Sequence, residues 1–218
     1  TKGQPREATV VWEIYHNGNW VLPLRNGHII PSKPPLFHWL SAAASYVFGG
    51  LSEFSIRFPS ALLALIGVIV TYRVGAGLWG REAGLAAGLS LATSFEWVRA
   101  AATARVDMTL TFFFIMALYM FWDIYRTRKL TLLRSLALFI LFALATLAKG
   151  PIGAILPVLI IILFLVLKGD LVFVKRLHLV AGTLLFLAVV LSWYGLALWE
   201  GGAAFFEKQI MKENVLRF

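Results

Sequence analysis

An all-α, polytopic membrane protein is what the apolar residues of this chain predict. Hydrophobic residues make up 60% of the 218 and charged residues only 14%, whereas soluble domains carry about 25% charged residues. The apolar residues fall in long uninterrupted runs, and a helix needs roughly 20 of them to cross a bilayer. A membrane β-barrel would instead alternate apolar and polar positions in weak segments of about ten residues. The cations gather in alternate turns between the runs, the pattern that sets sidedness in helical membrane proteins.

In chain order, residues 1–58 read as a juxtamembrane segment of mixed polar and aromatic character. Asn17-Gly18-Asn19 and Arg25-Asn26-Gly27 are its turn signals. After Ser32-Lys33-Pro34-Pro35 comes the apolar stretch Leu36–Phe48. It is too short to span a bilayer and predicts an interfacial or re-entrant helix. Six apolar runs follow, at about 59–79, 83–102, 107–125, 134–149, 151–168 and 179–199, and predict a six-span bundle over residues 59–199. Residues 200–218, opening at Gly201-Gly202, form a second amphipathic juxtamembrane segment. The chain begins at Thr1 without a signal peptide and reads as a piece of a longer protein.

The formal net charge is +9. Three turns hold nine of the cations: Arg73 and Arg81; Arg126, Arg128, Lys129 and Arg134; Lys168, Lys175 and Arg176. The positive-inside rule places these turns in the cytoplasm, so topology accounts for the basicity and nucleic acid is not called for. The opposite, outer face then carries Arg6, Lys33, Arg57, Arg99, Arg105 and Lys149, with Glu7, Glu96 and Asp107 as nearby acids. Cations on that face run against the sidedness tendency. Either they hold an anionic ligand or they snorkel to lipid phosphates.

Asp107, in Arg105-Val106-Asp107, falls in the first turn of a predicted span. It reads as a helix cap or as a general base or metal ligand at the membrane boundary; the roles are compatible. Glu96 and Arg99 stand three apart and can pair on one helix face, structurally or around a ligand. Lys149 ends an apolar run before Gly150-Pro151, where a cation suits the helix dipole and can also reach a phosphate. The four histidines show no ligand spacing and cysteine is absent, so no histidine or cysteine metal motif exists. Trp12, Trp20, Trp39, Trp97, Trp193 and Trp199 fit an interfacial belt, or in part a platform for sugar stacking.

Laid out in order, these segments resemble a known family. The matching residues are Pro5-Arg6-Glu7-Ala8, Gly18-Asn19-Trp20-Val21-Leu22-Pro23, Asn26-Gly27 and Lys33-Pro34-Pro35-Leu36. They continue through Arg57-Phe58-Pro59-Ser60-Ala61, Leu78-Trp79-Gly80, Arg105-Val106-Asp107, Lys149-Gly150-Pro151 and Asn214-Val215-Leu216-Arg217-Phe218. The chain is similar to the N-terminal membrane half of bacterial polyprenyl-phosphate-sugar-dependent glycosyltransferases, the lipid A aminoarabinose transferases and protein mannosyltransferases.

That resemblance implies a GT-C type helical bundle in the bacterial inner membrane, with periplasmic juxtamembrane helices and a periplasmic active face. It implies a polyprenyl-phosphate sugar donor, a lipid A or protein acceptor, membrane lipids as surroundings, and leaves a divalent metal open. By the same resemblance Lys33 and Lys149 bind the donor phosphate, Arg6 and Arg105 shape the pocket, and Asp107 is an acidic pocket residue. The family's Asp-Glu pair falls here on Gly3 and Gln4, so either Glu7 or Asp107 takes its role or the acid is lost, leaving a weak or differently specific enzyme. The alternative is a non-catalytic lipid-linked-sugar binder or flippase-like protein; an ordinary transporter would need more charge at mid-membrane.

Overall fold

The computed structural model describes residues 4–215, so Gly3 and the closing Leu216-Arg217-Phe218 lie outside the described residues. Two helices precede the bundle. α1 (Gln4–Asn17) ends where Gly18 adopts a positive φ of 69°, and α2 (Leu36–Val47) starts directly behind the double proline. Pro34 and Pro35 favour an extended entry and a helix start rather than continuation of a helix. Between them, Arg25 and Ile29 form an isolated antiparallel bridge around the Asn26-Gly27 turn. The expected interfacial stretch Leu36–Phe48 is thus a helix of twelve residues.

The bundle begins with α3 (Glu53–Trp79), six residues earlier than the apolar run suggests. Ser52 and Ser55 explain the early start through a reciprocal capping box. Ser52 Oγ accepts from the Ser55 N–H at 3.1 Å, and Ser55 Oγ accepts from the Ser52 N–H at 2.9 Å. Pro59 therefore sits inside the helix rather than at its start.

Gly80 (φ 92°) reverses the chain into α4 (Arg81–Ala92). α3 and α4 pack backbone to backbone. A Cβ at Gly84 would lie 2.6 Å from both Ala76 N and Tyr72 O, and one at Gly75 would lie 3.0 Å from Gly84 Cα. Small residues allow this approach between membrane helices, where dispersion rather than hydrophobic exclusion drives association. Gly84→Val in the full-length protein is therefore expected to lower stability by about 1–3 kcal/mol or more, read as an earlier thermal unfolding in detergent. An unchanged midpoint would contradict the close packing.

The predicted span 83–102 is divided. The Thr93 hydroxyl donates back to Leu89 O at 2.8 Å, and Ser94 turns to an extended backbone (φ −65°, ψ 125°) that starts α5 (Phe95–Ala101). Back-bonding by a Thr hydroxyl followed by an extended serine ends a helix locally. α5 folds against α3, where a Cβ at Gly67 would meet the Trp97 ring at 2.6 Å.

α6 (Val106–Thr127) and α7 (Leu132–Lys149) form an antiparallel pair, with Arg128 in the left-handed region at the turn and Thr131 capping α7. α8 (Ile152–Leu167), the short α9 (Phe173–Arg176) and α10 (Leu179–Phe205) complete the bundle. Gly202 (φ 53°, ψ −141°) bends the end of α10, and a π-helical segment, Phe206–Val215, follows. By length and composition α3, α6, α7 and the helix starting at Leu179 can cross a membrane, while Ile152–Leu167 is a shorter apolar helix.

Among the described residues the buried apolar side chains form separate clusters at the two ends. At the end with the Arg128 turn, Phe121, Ile124, Leu138, Leu165 and Phe173 pack together. At the other end, Val11, Ile14 and Phe37 pack with Ile56, Ala104 and Val106. There too, Leu22 and Leu36 pack with Leu147, Ala148, Trp193 and Phe205. This second end gathers α1, α2, the starts of α3 and α6, and the ends of α7 and α10.

Candidate functional site

All six residues singled out in the sequence lie at this second end. Three of them join directly. Lys149 Nζ donates to Asp107 Oδ1 at 2.7 Å, and Arg105 Nη2 lies 3.1 Å from Asp107 Oδ2. Each local structure has a reason. Arg105 is the extended N-cap of α6 (φ −147°, ψ 151°), which puts Asp107 in the first turn, near the positive end of the helix dipole. Gly150, at φ 94° and ψ −169°, stops α7 immediately after Lys149 and donates its N–H to Thr146 O at 2.7 Å. Only glycine adopts that conformation cheaply. Asp107 is not a cap, because its carboxylate is committed to the two cations. The three side chains remain about a third exposed, at 40% for Arg105, 34% for Asp107 and 35% for Lys149. They hold one carboxylate between two cations, with net charge +1.

A second group is buried. Glu7 Oε2 accepts from His38 Nε2 at 2.7 Å, and Glu7 Oε1 accepts from Arg6 Nη2 at 3.0 Å. Glu7 and His38 are 5% and 1% exposed. Burial pushes the Glu7 carboxyl upward, but the His38 hydrogen bond, the His38 charge and Arg6 outweigh it and hold the group below its ordinary value of 4.5. A depressed carboxylate stabilises the fold fully above pH 4.5, and that contribution is lost as pH falls through the folded value. Glu7→Gln is accordingly expected to cost about 1–3 kcal/mol at neutral pH and to flatten the acid limb of a thermal-stability profile. A profile identical to the parent's would contradict this role.

Lys33 forms a third group. Its Nζ donates to Glu213 Oε2 at 3.1 Å, and Lys208 Nζ lies 3.9 Å from Glu213 Oε1. Gln209 Nε2 donates to Pro31 O at 2.6 Å, so the π-helical segment is tied to the loop that carries Lys33. Lys33, His38, Trp193 and Gln209 line one narrow cleft. Lys33 and Lys149 spring from segments packed on one another, since Leu36 shares a core cluster with Leu147 and Ala148.

Sequence reading missed His38 and Glu213. Their partners stand 31 and 180 residues away, and no local spacing signals such a pair. At the two positions of the missing acidic pair, Gln4 accepts a hydrogen bond from Arg57 Nη2 at 3.0 Å, and Gly3 is outside the described residues. Among the described residues no three His, Asp or Glu side chains gather to hold a metal ion. Glu96 and Arg99 do pair, with Arg99 Nε donating to Glu96 Oε2 at 3.0 Å, on the exposed short α5.

The model of the dolichyl-phosphate-mannose-protein mannosyltransferase family matches residues 32–194. The chain belongs to this family. That mannosyltransferase match includes Lys33, Arg105, Asp107 and Lys149, and leaves Arg6 and Glu7 before its start. Among curated relatives, a protein of Aquifex aeolicus (strain VF5) is 32% identical over 202 residues, 92% of this chain and 40% of that protein. The undecaprenyl phosphate-alpha-4-amino-4-deoxy-L-arabinose arabinosyl transferase of Pseudomonas savastanoi pv. phaseolicola is 25% identical over 217 residues, 99% of this chain and 40% of that one. The crystal structure of ArnT from Cupriavidus metallidurans bound to undecaprenyl phosphate superposes with a TM-score of 0.88. It is 25% identical, covering 97% of this chain and 39% of that one. The chain thus spans about two fifths of the length of these relatives. The all-α, membrane-embedded GT-C bundle expected from the sequence is the fold of this mannosyltransferase-family chain.

Proposed function

We propose that this chain is the donor-binding half of a glycosyltransferase that moves a sugar from a polyprenyl phosphate to an envelope acceptor, a lipid such as lipid A or a protein. One observation carries the reading: Arg105, Asp107 and Lys149 converge in one ion-paired cluster, on the bundle end that also bears Lys33. The ArnT structure that superposes on the chain holds undecaprenyl phosphate, which supports the same carrier here. Residues 4–52 and 200–215 would lie at the periplasmic face of the inner membrane, at the bundle end that carries the site.

In this reading the acceptor oxygen attacks the anomeric carbon, and the bond from that carbon to the phosphate oxygen breaks. The electron pair leaves with the phosphate, whose charge Lys33 and Lys149 neutralise. The acceptor proton passes to Asp107, held in place by Arg105. Glu213 on Lys33 stands in for an anion, so donor binding replaces that contact with a phosphate. Arg6 and Glu7 shape the wall through His38 rather than facing the acceptor.

A second reading has its own support. Glu7 is buried and saturated by His38 and Arg6, and Gln4 carries no carboxylate, which fits a binder or flippase without transfer. Purified full-length protein, supplied with a radiolabelled polyprenyl-phosphate sugar and an envelope glycolipid fraction, is expected to move label to the acceptor. Movement of the carrier between leaflets with no label on the acceptor would select the second reading.

A further inference from the structure

At the bundle end opposite the candidate site, the turn from α6 to α7 and the turn from α8 to α10 are locked together. Arg128 Nη1 donates to Asp170 Oδ2 at 3.0 Å. The same guanidinium lies over the rings of Tyr125 and Phe173, 4.3 and 5.0 Å from their centroids. Arg134 braces the first turn, pairing with Asp123 at 3.1 Å and donating to Lys129 O at 3.3 Å. We propose that the patch built on this scaffold binds an anionic phospholipid, with the headgroup phosphate on its cations and the acyl chains on the apolar residues beside them.

Residues 123–134 and 168–176 carry seven lysines and arginines and only two acids, Asp123 and Asp170. Both acids are committed, to Arg134 and to Arg128. Arg126, Lys129, Lys168, Lys175 and Arg176 are exposed, with no acid at ion-pair distance among the described residues. Sidedness requires cations in these turns, but not that both acids be drawn away from five of them on one rigid surface. Clustered cations beside a membrane span attract anionic headgroups, each strengthening the attraction about fivefold near the surface.

Apolar side chains complete the patch. Leu167, Leu171 and Val172 are exposed in the second turn, and Leu132 and Leu133 at the start of α7. Leu171 and Val172 stand four residues before Lys175 and Arg176, so apolar and cationic groups alternate along the turn. Phe173 and Leu177 are buried and anchor that turn in the bundle. Exposed leucines beside unpaired cations suit an amphiphile. A free phosphate or an acidic protein surface would gain nothing from the leucines.

The proposal is independent of the transferase reading. Full-length protein is released from nanodiscs of equal parts phosphatidylglycerol and phosphatidylethanolamine, and native mass spectrometry counts the lipids it retains. The parent is expected to retain phosphatidylglycerol in preference to phosphatidylethanolamine. Lys175→Gln/Arg176→Gln should lower that preference about tenfold or more, given about fivefold per basic residue. Arg73→Gln/Arg81→Gln removes the same charge from the α3–α4 end and should change it by less than about twofold. All four residues are exposed, so both variants should keep the parent's melting temperature. Glycerol phosphate, an anionic headgroup without chains, should not displace the lipid. Equal losses in the two variants would mean diffuse attraction and overturn the site. No preference in the parent, or displacement by glycerol phosphate, would overturn it too. So would an acidic protein that copurifies with the parent and is lost from Lys175→Gln/Arg176→Gln while no lipid preference is seen.

Discussion

Lys149→Ala in the full-length protein is expected to reduce sugar transfer by about 100-fold or more, with the protein still inserted and folded. The size follows from removing one preorganised donor aimed at developing charge, which costs roughly 10²–10³ in turnover. The Lys149 ammonium is within 2.7 Å of Asp107 and sits at the end of α7, where Gly150 leaves it facing the site. Asp107→Asn should lose transfer to a similar degree, because an amide cannot accept the proton. The two residues are in direct contact, so their effects should not add. The double variant is expected to fall no more than about tenfold below the worse single. Fully additive losses in a transfer assay would mean that Lys149 and Asp107 act separately, against the cluster described above.

The second large effect is structural. Gly153→Ala is expected to destabilise the bundle more than any exposed substitution. A Cβ at this position would lie 2.2 Å from Ala145 O and 2.7 Å from Thr146 N, and both are backbone atoms of α7 that cannot swing aside. Overpacking of this kind costs about 1–3 kcal/mol or more. The chain between the two helices is only Gly150 and Pro151, so a displaced α8 also moves Lys149. Thermal unfolding in detergent and the transfer assay should therefore fall together for Gly153→Ala. A substitution such as Leu163→Ala on the exposed face of α8 should change neither by a comparable amount. A normal melting temperature for Gly153→Ala would show that α7 and α8 tolerate a wider spacing.

Much of this architecture is legible in the sequence because a bilayer imposes a simple code. Long apolar runs and cations in alternate turns predict α6, α7, α8 and α10 closely, while the short α9 falls in a turn between two runs. The exceptions have local causes that hydropathy does not register. α3 starts early because two serines cap each other, and 83–102 breaks because a threonine hydroxyl competes with the backbone. The site divides in the same way. Arg105, Asp107 and Lys149 stand out one by one as charges at the ends of apolar runs, but the Lys149–Asp107 contact joins residues 42 apart and needs the antiparallel α6–α7 pair. The burial of Glu7 under His38 and Arg6 was not legible, since Glu7 sits in a polar stretch where exposure is the default.

The same contacts sharpen the division of labour among the cations. Lys33 is held against Glu213 and Lys149 against Asp107, so neither ammonium waits in open solvent. An incoming phosphate must compete with a carboxylate at each. Because the donor is a phosphodiester with one negative charge while the departing polyprenyl phosphate is a dianion, the cations bind the leaving group more strongly than the donor.

The most direct test is equilibrium binding of undecaprenyl phosphate to the full-length protein in nanodiscs, with Lys33→Ala and Lys149→Ala as comparisons. The account predicts saturable binding by the parent, weakened about tenfold or more by either variant, the scale of a lost charge-assisted contact. Equal binding by all three would show that these lysines do not hold the donor phosphate.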